Sequence, residues 1–273
     1  MYFNQFSRCR PTVVVAFGVL MFTLACSAVG GAAEEKHDPK AAAILDKYVE
    51  VTGGAAAYDA IKNRVIKGEI SLPVSGVTGT MLTVYERPNR FYSEIDTSAG
   101  RQRRGSNGKT VWMIERAHGP RILKGLERVL VLRDGTLDRF AHWRELAASV
   151  EYAGTEEIEG TACDKVVLTY KALGQEPGES PEDSPVTIYF NPETGLITQY
   201  ATRISSPNML ATVTVVLDDY RKEGGILMPH TMTLKTDDIV RGVTKLTSVE
   251  NNVPVPDFEL PREIQELIVR GKK

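Results

Sequence analysis

Three of the four histidines, those within the expected folded region, two aspartate pairs, one interior cysteine and a knot of arginines are the side chains on which chemistry could be built. His118, His142 and His230 show no metal-ligand spacing, so no metal site is expected. His230 stands between Met228 and Met232 on an apolar face. It reads first as a core or cavity histidine, because a ligand or general base needs a partner that the sequence does not supply. Asp218-Asp219 and Asp237-Asp238 are adjacent, so on strands their carboxylates point to opposite faces and make no acid/base pair. Ser106 and Ser180 lack a nucleophile elbow, and Gly53-Gly54 ends a helix rather than opening a phosphate loop. Cys163 lies in the apolar stretch Ala162-Cys-Asp-Lys-Val-Val-Leu168 with no histidine near it in sequence, the setting of an inert buried thiol. No catalytic constellation and no cofactor site emerges. An enzyme reading requires acids gathered around His230 in a cleft.

Binding chemistry is better represented. Arg101, Arg103 and Arg104, with Lys109 across a turn, form the densest positive cluster. A solvated hairpin tip is the plain reading. Contact with anionic lipid headgroups is the functional one, worth about 1 kcal/mol per basic residue near a membrane surface. Met81, Met113, Met209, Met228 and Met232 fill a core by default and equally suit a deformable cavity. Trp112 and Trp143 read as core first and cavity wall second.

These side chains depend on strands. From Arg64 onward the sequence alternates with period two over 64–72, 77–86, 90–97, 99–106 and 109–115, with Asn107-Gly108 as a hairpin signal. Alternation resumes at 149–158, 161–171, 185–191, 196–205, 209–220, 226–236 and 239–250. Met209, Ala211, Val213, Val215 and Leu217 line one face of their strand; Ile226, Met228, His230, Met232 and Leu234 line another. Ala41–Val51 is helical, with Ile44, Leu45, Tyr48 and Val51 on one face, followed by a short turn over Ala55–Ile61. Leu126–Leu132, Leu137–Ala148 and Pro261–Val269 also read as helical, and Gly174–Ser184 as an exposed loop. A sheet of about ten one-faced strands must curl and needs a cover. With few helices, an apolar hollow can remain under it.

The N-terminus places the chain outside the cytoplasm. Two arginines without an acid precede an apolar run, Thr12–Ala25, and the small residues of Cys26–Ala33. This is the layout of a secretory signal peptide, too short to be read first as a spanning helix. Thr23-Leu-Ala-Cys26 resembles a lipobox, making Cys26 a candidate lipidation site; cleavage after Gly30 or Ala33 is the other reading, and an uncleaved anchor a third. The protein is then an outer-membrane-anchored lipoprotein or a periplasmic one. Losing residues 1–33 removes two arginines and no acid, taking the formal charge from −2 to −4, which argues against nucleic acid as a partner. The expected organisation is a signal over 1–33 (1–25 for a lipoprotein), a charged tether over 34–40, and one β domain over 41–273 with a helical insertion at 124–148.

Several segments, in order, resemble the LolA/LolB-like lipoprotein-carrier family. They are Ala41-Ala-Ala-Ile-Leu-Asp-Lys-Tyr-Val-Glu-Val-Thr-Gly-Gly54, Leu82-Thr-Val-Tyr-Glu-Arg-Pro-Asn-Arg-Phe91, Ser106-Asn-Gly-Lys-Thr-Val-Trp112, Tyr189-Phe-Asn-Pro-Glu-Thr-Gly-Leu-Ile197 and Asp219-Tyr-Arg-Lys-Glu-Gly-Gly-Ile-Leu-Met-Pro229. The loop Gly174–Ser184 and the helices over 124–148 have no counterpart in the carrier itself. The resemblance implies a mainly β fold, a curved antiparallel sheet forming an incomplete β-barrel lidded by a few helices. It also implies an apolar cavity for lipid or lipoprotein acyl chains. On that reading Met81, Phe91, Ile95, Trp112, Trp143, Leu168, Ile188, Val213, Val215, Met228 and Met232 are the expected cavity residues. A structural or regulatory envelope protein docking a polypeptide on the curved sheet is the alternative. The sequence leaves the oligomeric state open.

Overall fold

The computed structural model describes residues 36–171, 185–206 and 209–270. The signal segment with Cys26 and the loop Gly174–Ser184 lie outside the described residues. The chain enters through a two-residue strand, β1 (Lys36–His37), and two helices, α1 (Pro39–Val51) and α2 (Ala55–Asp59). Asp38 starts α1: its Oδ1 accepts from the amides of Lys40 and Ala41, at 2.8 and 2.9 Å, with Pro39 at the first helical position. The segment expected as a tether therefore carries structure from residue 36 on. Ala41, Leu45 and Tyr48 are buried, whereas Val51, expected on the same face, is 39 % exposed where the helix ends. Gly53 and Gly54 hold left-handed φ values of 136° and 84°, and Gly54 also caps α2, so the pair separates two helices.

Six strands follow as an antiparallel meander: β2 (Asn63–Leu72), β3 (Val77–Glu86), β4 (Arg90–Thr97), β5 (Gly100–Asn107), β6 (Val111–Glu115) and β7 (Gly119–Ile122). At the expected Asn-Gly turn, Asn107 Oδ1 accepts from the amides of Lys109 and Thr110 while Gly108 takes φ 91°. Two helices come next, α3 (Gly125–Asp134) and α4 (Trp143–Leu146). A second meander then runs through β8 (Ala147–Ile158), β9 (Thr161–Tyr170), β10 (Val186–Phe190), β11 (Ile197–Ser206), β12 (Met209–Glu223), β13 (Ile226–Thr236) and β14 (Ile239–Asn251), before α5 (Arg262–Arg270).

The two meanders join through one long-range pairing, β14 against β2, from Val243↔Ser71 to Asn251↔Arg64 with a register shift between Leu246 and Ser248. This gives fourteen strands among the described residues, in the order β1-β8-β9-β10-β11-β12-β13-β14-β2-β3-β4-β5-β6-β7. The sheet is antiparallel except for β1 on β8, and it does not close. Short strands blunt both edges, the β7 edge packs against α5, and α5 buries Ile264. The order has a mechanical consequence. β7 is at one edge and β8 lies one strand from the other, so the connection carrying α3 and α4 must cross the width of the sheet. That crossing is the lid.

Two expectations need correction. Leu137–Ala148 is not one helix: only Trp143–Leu146 is helical, and Ala147 and Ala148 already belong to β8. The segment before Trp143 turns instead, with Asp138 at φ 52°. Asp237 and Asp238 are not strand positions either. At φ 47° and 67° they form the tight turn between β13 and β14.

The lid is pinned by packing at both ends. On one side Phe140 and Trp143 join α1 and strands β8 to β11 in a cluster that includes Leu45, Val150, Val166, Leu168, Ile188 and Phe190. On the other, Val131 of α3 joins Phe91, Val111, Met113 and Leu123. Gly135 lies against the Phe91 ring so closely that a Cβ there would overlap it. Cys163 is fully buried on β9, its Sγ 3.7 Å from Thr198 Oγ1.

His142 in the lid carries a pH consequence. Its Nε2 meets Arg87 Nη2, its ring lies edge-on to Tyr58, and Asp59 and Glu145 stand 3.9 Å from Nδ1. Burial, then the Arg87 charge, hold its pKa below the ordinary imidazole value of 6.5. The unfolded chain then takes up a proton that the folded chain refuses. Stability contributed by neutral His142 is present above that ordinary value and is lost as pH falls through the lowered one. Between about pH 7 and about pH 5 the urea midpoint should fall in the native protein, and His142→Gln should remove part of that slope. An identical slope in the variant would contradict the assignment.

Candidate functional site

Between the two packed ends of the lid lies a cavity of about 630 Å³, within the roughly 300–1,000 Å³ range of small-molecule sites. Its apolar floor comes from the middle of the sheet. Ile70, Leu72, Met81, Val213, Val215, Leu217, Met228 and Met232 line it from β2, β3, β12 and β13, and Ile95 from β4. All of these side chains are only half-buried, whereas Val166, Leu168 and Ile188 under α1 are fully buried. The same period-two alternation thus produces a solid core at one flank and an open apolar floor at the centre.

Seven expected cavity residues meet there: Met81, Phe91, Ile95, Val213, Val215, Met228 and Met232. Four do not line it. Trp143, Leu168 and Ile188 are buried in the cluster around α1, and Trp112 is buried on β6, tilted against Tyr92 at 6.2 Å. Their apolar character is spent on packing beneath a helix or within the sheet, not on the hollow. His230 is also outside the cavity lining; its Nε2 lies 2.9 Å from Glu223 Oε1. Among the described residues no group of three or more His, Cys, Asp and Glu side chains is placed to hold a metal.

The arginine knot divides. Arg101 is bound at 2.6 Å to Asp96, and Arg103 at 3.0 Å to Glu263 of α5. Arg104, one residue on and therefore on the other face, lines the cavity. There it meets charges that the sequence reading did not single out. Arg64 donates from Nη1 and Nη2 to Asp138 Oδ1 and Oδ2 at 2.6 and 3.0 Å, a two-point pair in which Arg64 is buried and Asp138 partly so. Arg139 Nη1 donates to Asp134 Oδ1 at 2.8 Å, and Arg104 Nη1 is 3.6 Å from Asp134 Oδ2. Partial desolvation would raise the Asp134 pKa, but Arg139, Arg104 and Arg133 outweigh that and hold the carboxyl, its side chain still 44 % exposed, below its ordinary range. Arg133 is buried, with Nη2 3.4 Å from Thr202 Oγ1 and its guanidinium 5.3 Å from the Tyr170 ring. The only sequence trace of this group is the run Arg133-Asp-Gly-Thr-Leu-Asp-Arg139, charged residues inside a segment that otherwise packs on the sheet.

Comparison with solved structures agrees with this architecture. A DUF1329 family protein from Desulfovibrio piger ATCC 29098 matches with a TM-score of 0.51 at 16% identity, covering 80% of this chain and 97% of its own. A LolA superfamily protein from Nitrosomonas europaea matches with a TM-score of 0.51 at 14% identity, over 80% of this chain and 95% of its own. A Vibrio parahaemolyticus domain named for outer membrane lipoprotein sorting gives 0.52 at 10% identity, over 80% and 97%. No protein-family model and no curated protein matches the sequence. The fold is LolA-like, in a divergent form: a wide, curved antiparallel sheet, left open and crossed by helices.

Proposed function

We propose that this protein is an exported, non-enzymatic binding protein that holds lipid or lipoprotein acyl chains in the cavity of its half-barrel, in the service of outer-membrane lipoprotein sorting. The observation that carries this reading is the half-buried apolar floor formed by β12, β13, β2 and β3 beneath a helical cover. Apolar side chains directed into an unfilled space forgo both packing and burial, unless a ligand supplies them. An acyl chain does so at roughly 0.8 kcal/mol per methylene moved out of water. Displacement of the lid, α3 with the turns before α4, would admit the chain. Export rests on the arginine-flanked apolar run and the small residues up to Ala33. Acylation at Cys26 would make the protein a membrane-tethered receiver; cleavage after Gly30 or Ala33 would make it a diffusing carrier.

Delipidated protein should take up a fluorescent fatty acid saturably, one or two molecules per chain. Failure to bind it, or binding that a partner polypeptide accounts for and no lipid does, would replace this reading with that of a docking protein. Intact mass of the mature chain decides between the two fates of Cys26.

A further inference from the structure

Six large apolar side chains are exposed among the described residues, and four of them, Val74, Leu210, Leu234 and Ile239, gather at one end of the sheet. Strand order brings them together. Asp237, in the turn between β13 and β14, exchanges hydrogen bonds with Thr212 near the start of β12. Val243 of β14 stands opposite Ser71 near the end of β2. The start of β12, the β13–β14 turn and the β2–β3 turn are therefore neighbours along one rim. This rim is the mouth of the cavity. Leu72, the last residue of β2, and Leu234 both line the cavity, and Leu234 does so while 40 % exposed. Tyr48 and Tyr58, from α1 and α2, line the opposite end and are buried. Ile239 continues the floor outward: it stands opposite Thr236, which stands opposite Val213, and directly paired residues share a face.

Single apolar side chains on separate turns, divided by Ser75, Gly76, Asp237 and Asp238, do not make the continuous core that a protein interface needs. They suit a surface where depth counts and shape does not, the headgroup boundary of a bilayer, into which apolar groups sink by about 5–10 Å. Charge agrees with that partner. Arg203, Lys235 and Arg241 stand on the strands just behind the tips, at the level of anionic headgroups. Of the acids nearby, Asp96 is bound to Arg101 and Asp237 accepts from the Thr212 amide, with Asp238 exposed at the tip.

We propose that this rim docks the protein on a lipid bilayer, with Val74, Leu210 and Ile239 entering the surface and the cavity mouth set against it. An acyl chain then passes between bilayer and floor without crossing water. The purpose of the surface rests on the acyl-chain reading above, and its test separates the two.

Val74→Trp, Ile239→Trp and, at the opposite end of the sheet, Glu193→Trp each place a fluorophore at an exposed position of the full chain. The vesicles are mixed phosphatidylcholine and phosphatidylglycerol with brominated acyl chains. Added emission from the two rim variants should fall at least about twofold, and that of Glu193→Trp should not change. Val74→Asp combined with Ile239→Asp should slow transfer of fluorescent fatty acid from vesicles at least about tenfold, with affinity for the monomeric fatty acid unchanged. Val74 is 66 % exposed and Ile239 51 % exposed, so these variants spare the core. Rim variants left unquenched in excess lipid, or quenching equal in all three, overturn the docking surface whatever the cavity holds. An unchanged transfer rate in the double variant overturns it as well. Quenched rim variants in a chain that takes up no fatty acid overturn the acyl-chain reading and leave the docking surface standing.

Discussion

Trp143→Ala is expected to destabilise the protein by about 3–5 kcal/mol and to lower the melting temperature by roughly 10 °C, without weakening fatty-acid binding below the transition. Trp143 opens α4 and is 1 % exposed. It packs in the cluster that joins α1 to β8, β9 and β10, with the His37 ring edge-on at 5.4 Å and Arg144 over its face at 4.2 Å. Truncation leaves a hole the size of an indole in a wall built from two helices and a sheet, which cannot collapse together. Because the residue does not line the cavity, the cost falls on the fold alone. Thermal melts alongside fluorescent fatty-acid titrations separate the two quantities. A variant that melts like the native protein but loses binding would put Trp143 in the cavity wall after all.

The converse expectation concerns Val215 and Met232. Both line the cavity from neighbouring strands, Val215 opposite Leu234 and Met232 opposite Leu217. Val215→Trp or Met232→Trp fills open space instead of overpacking a core, so stability should change by less than about 1.5 kcal/mol. Room for about three ligand methylenes would disappear. At about 0.8 kcal/mol each, that weakens binding by roughly fiftyfold. Substituting Ile188, which points into the packed flank, should do the opposite: Ile188→Trp should cost folding and spare affinity in whatever protein remains native. Equal affinity in native protein and both cavity variants would mean that the chain lies elsewhere.

The contrast between Val215 and Ile188 also shows where sequence reasoning stops. Both stand in clean period-two alternation, and alternation assigns a face. What covers that face is decided by elements far away in the chain: α1 and Trp143 settle over Ile188, and the lid leaves Val215 facing a hollow. Hence twelve of the fourteen described strands are legible to within about three residues, the short edge strands β1 and β7 are not, and Trp112, Trp143, Leu168 and Ile188 cannot be told from true cavity residues. The lid's crossing was equally hidden. It follows from β14 pairing with β2, a contact between distant segments that local pattern does not encode. The charged run Arg133–Arg139 carries no sequence signal of a cavity for a related reason: on a helix and turns, such residues have the pattern of a solvated face. Only the crossing turns Arg133 and Arg139 toward the sheet. Arg104 failed in the other direction, grouped with Arg101 and Arg103 by proximity although one residue of offset sends it to the opposite face.

The central claim is that the floor built by Met81, Val213, Val215 and Met232 is completed by hydrocarbon. It is tested most directly by extracting the protein, purified from its native envelope without detergent, and identifying bound lipid by mass spectrometry. The account predicts acyl-chain lipid at about one molecule per chain, retained through purification and reduced in Val215→Trp and Met232→Trp. Protein that emerges free of lipid, and that after refilling with excess fatty acid again retains none, would contradict it.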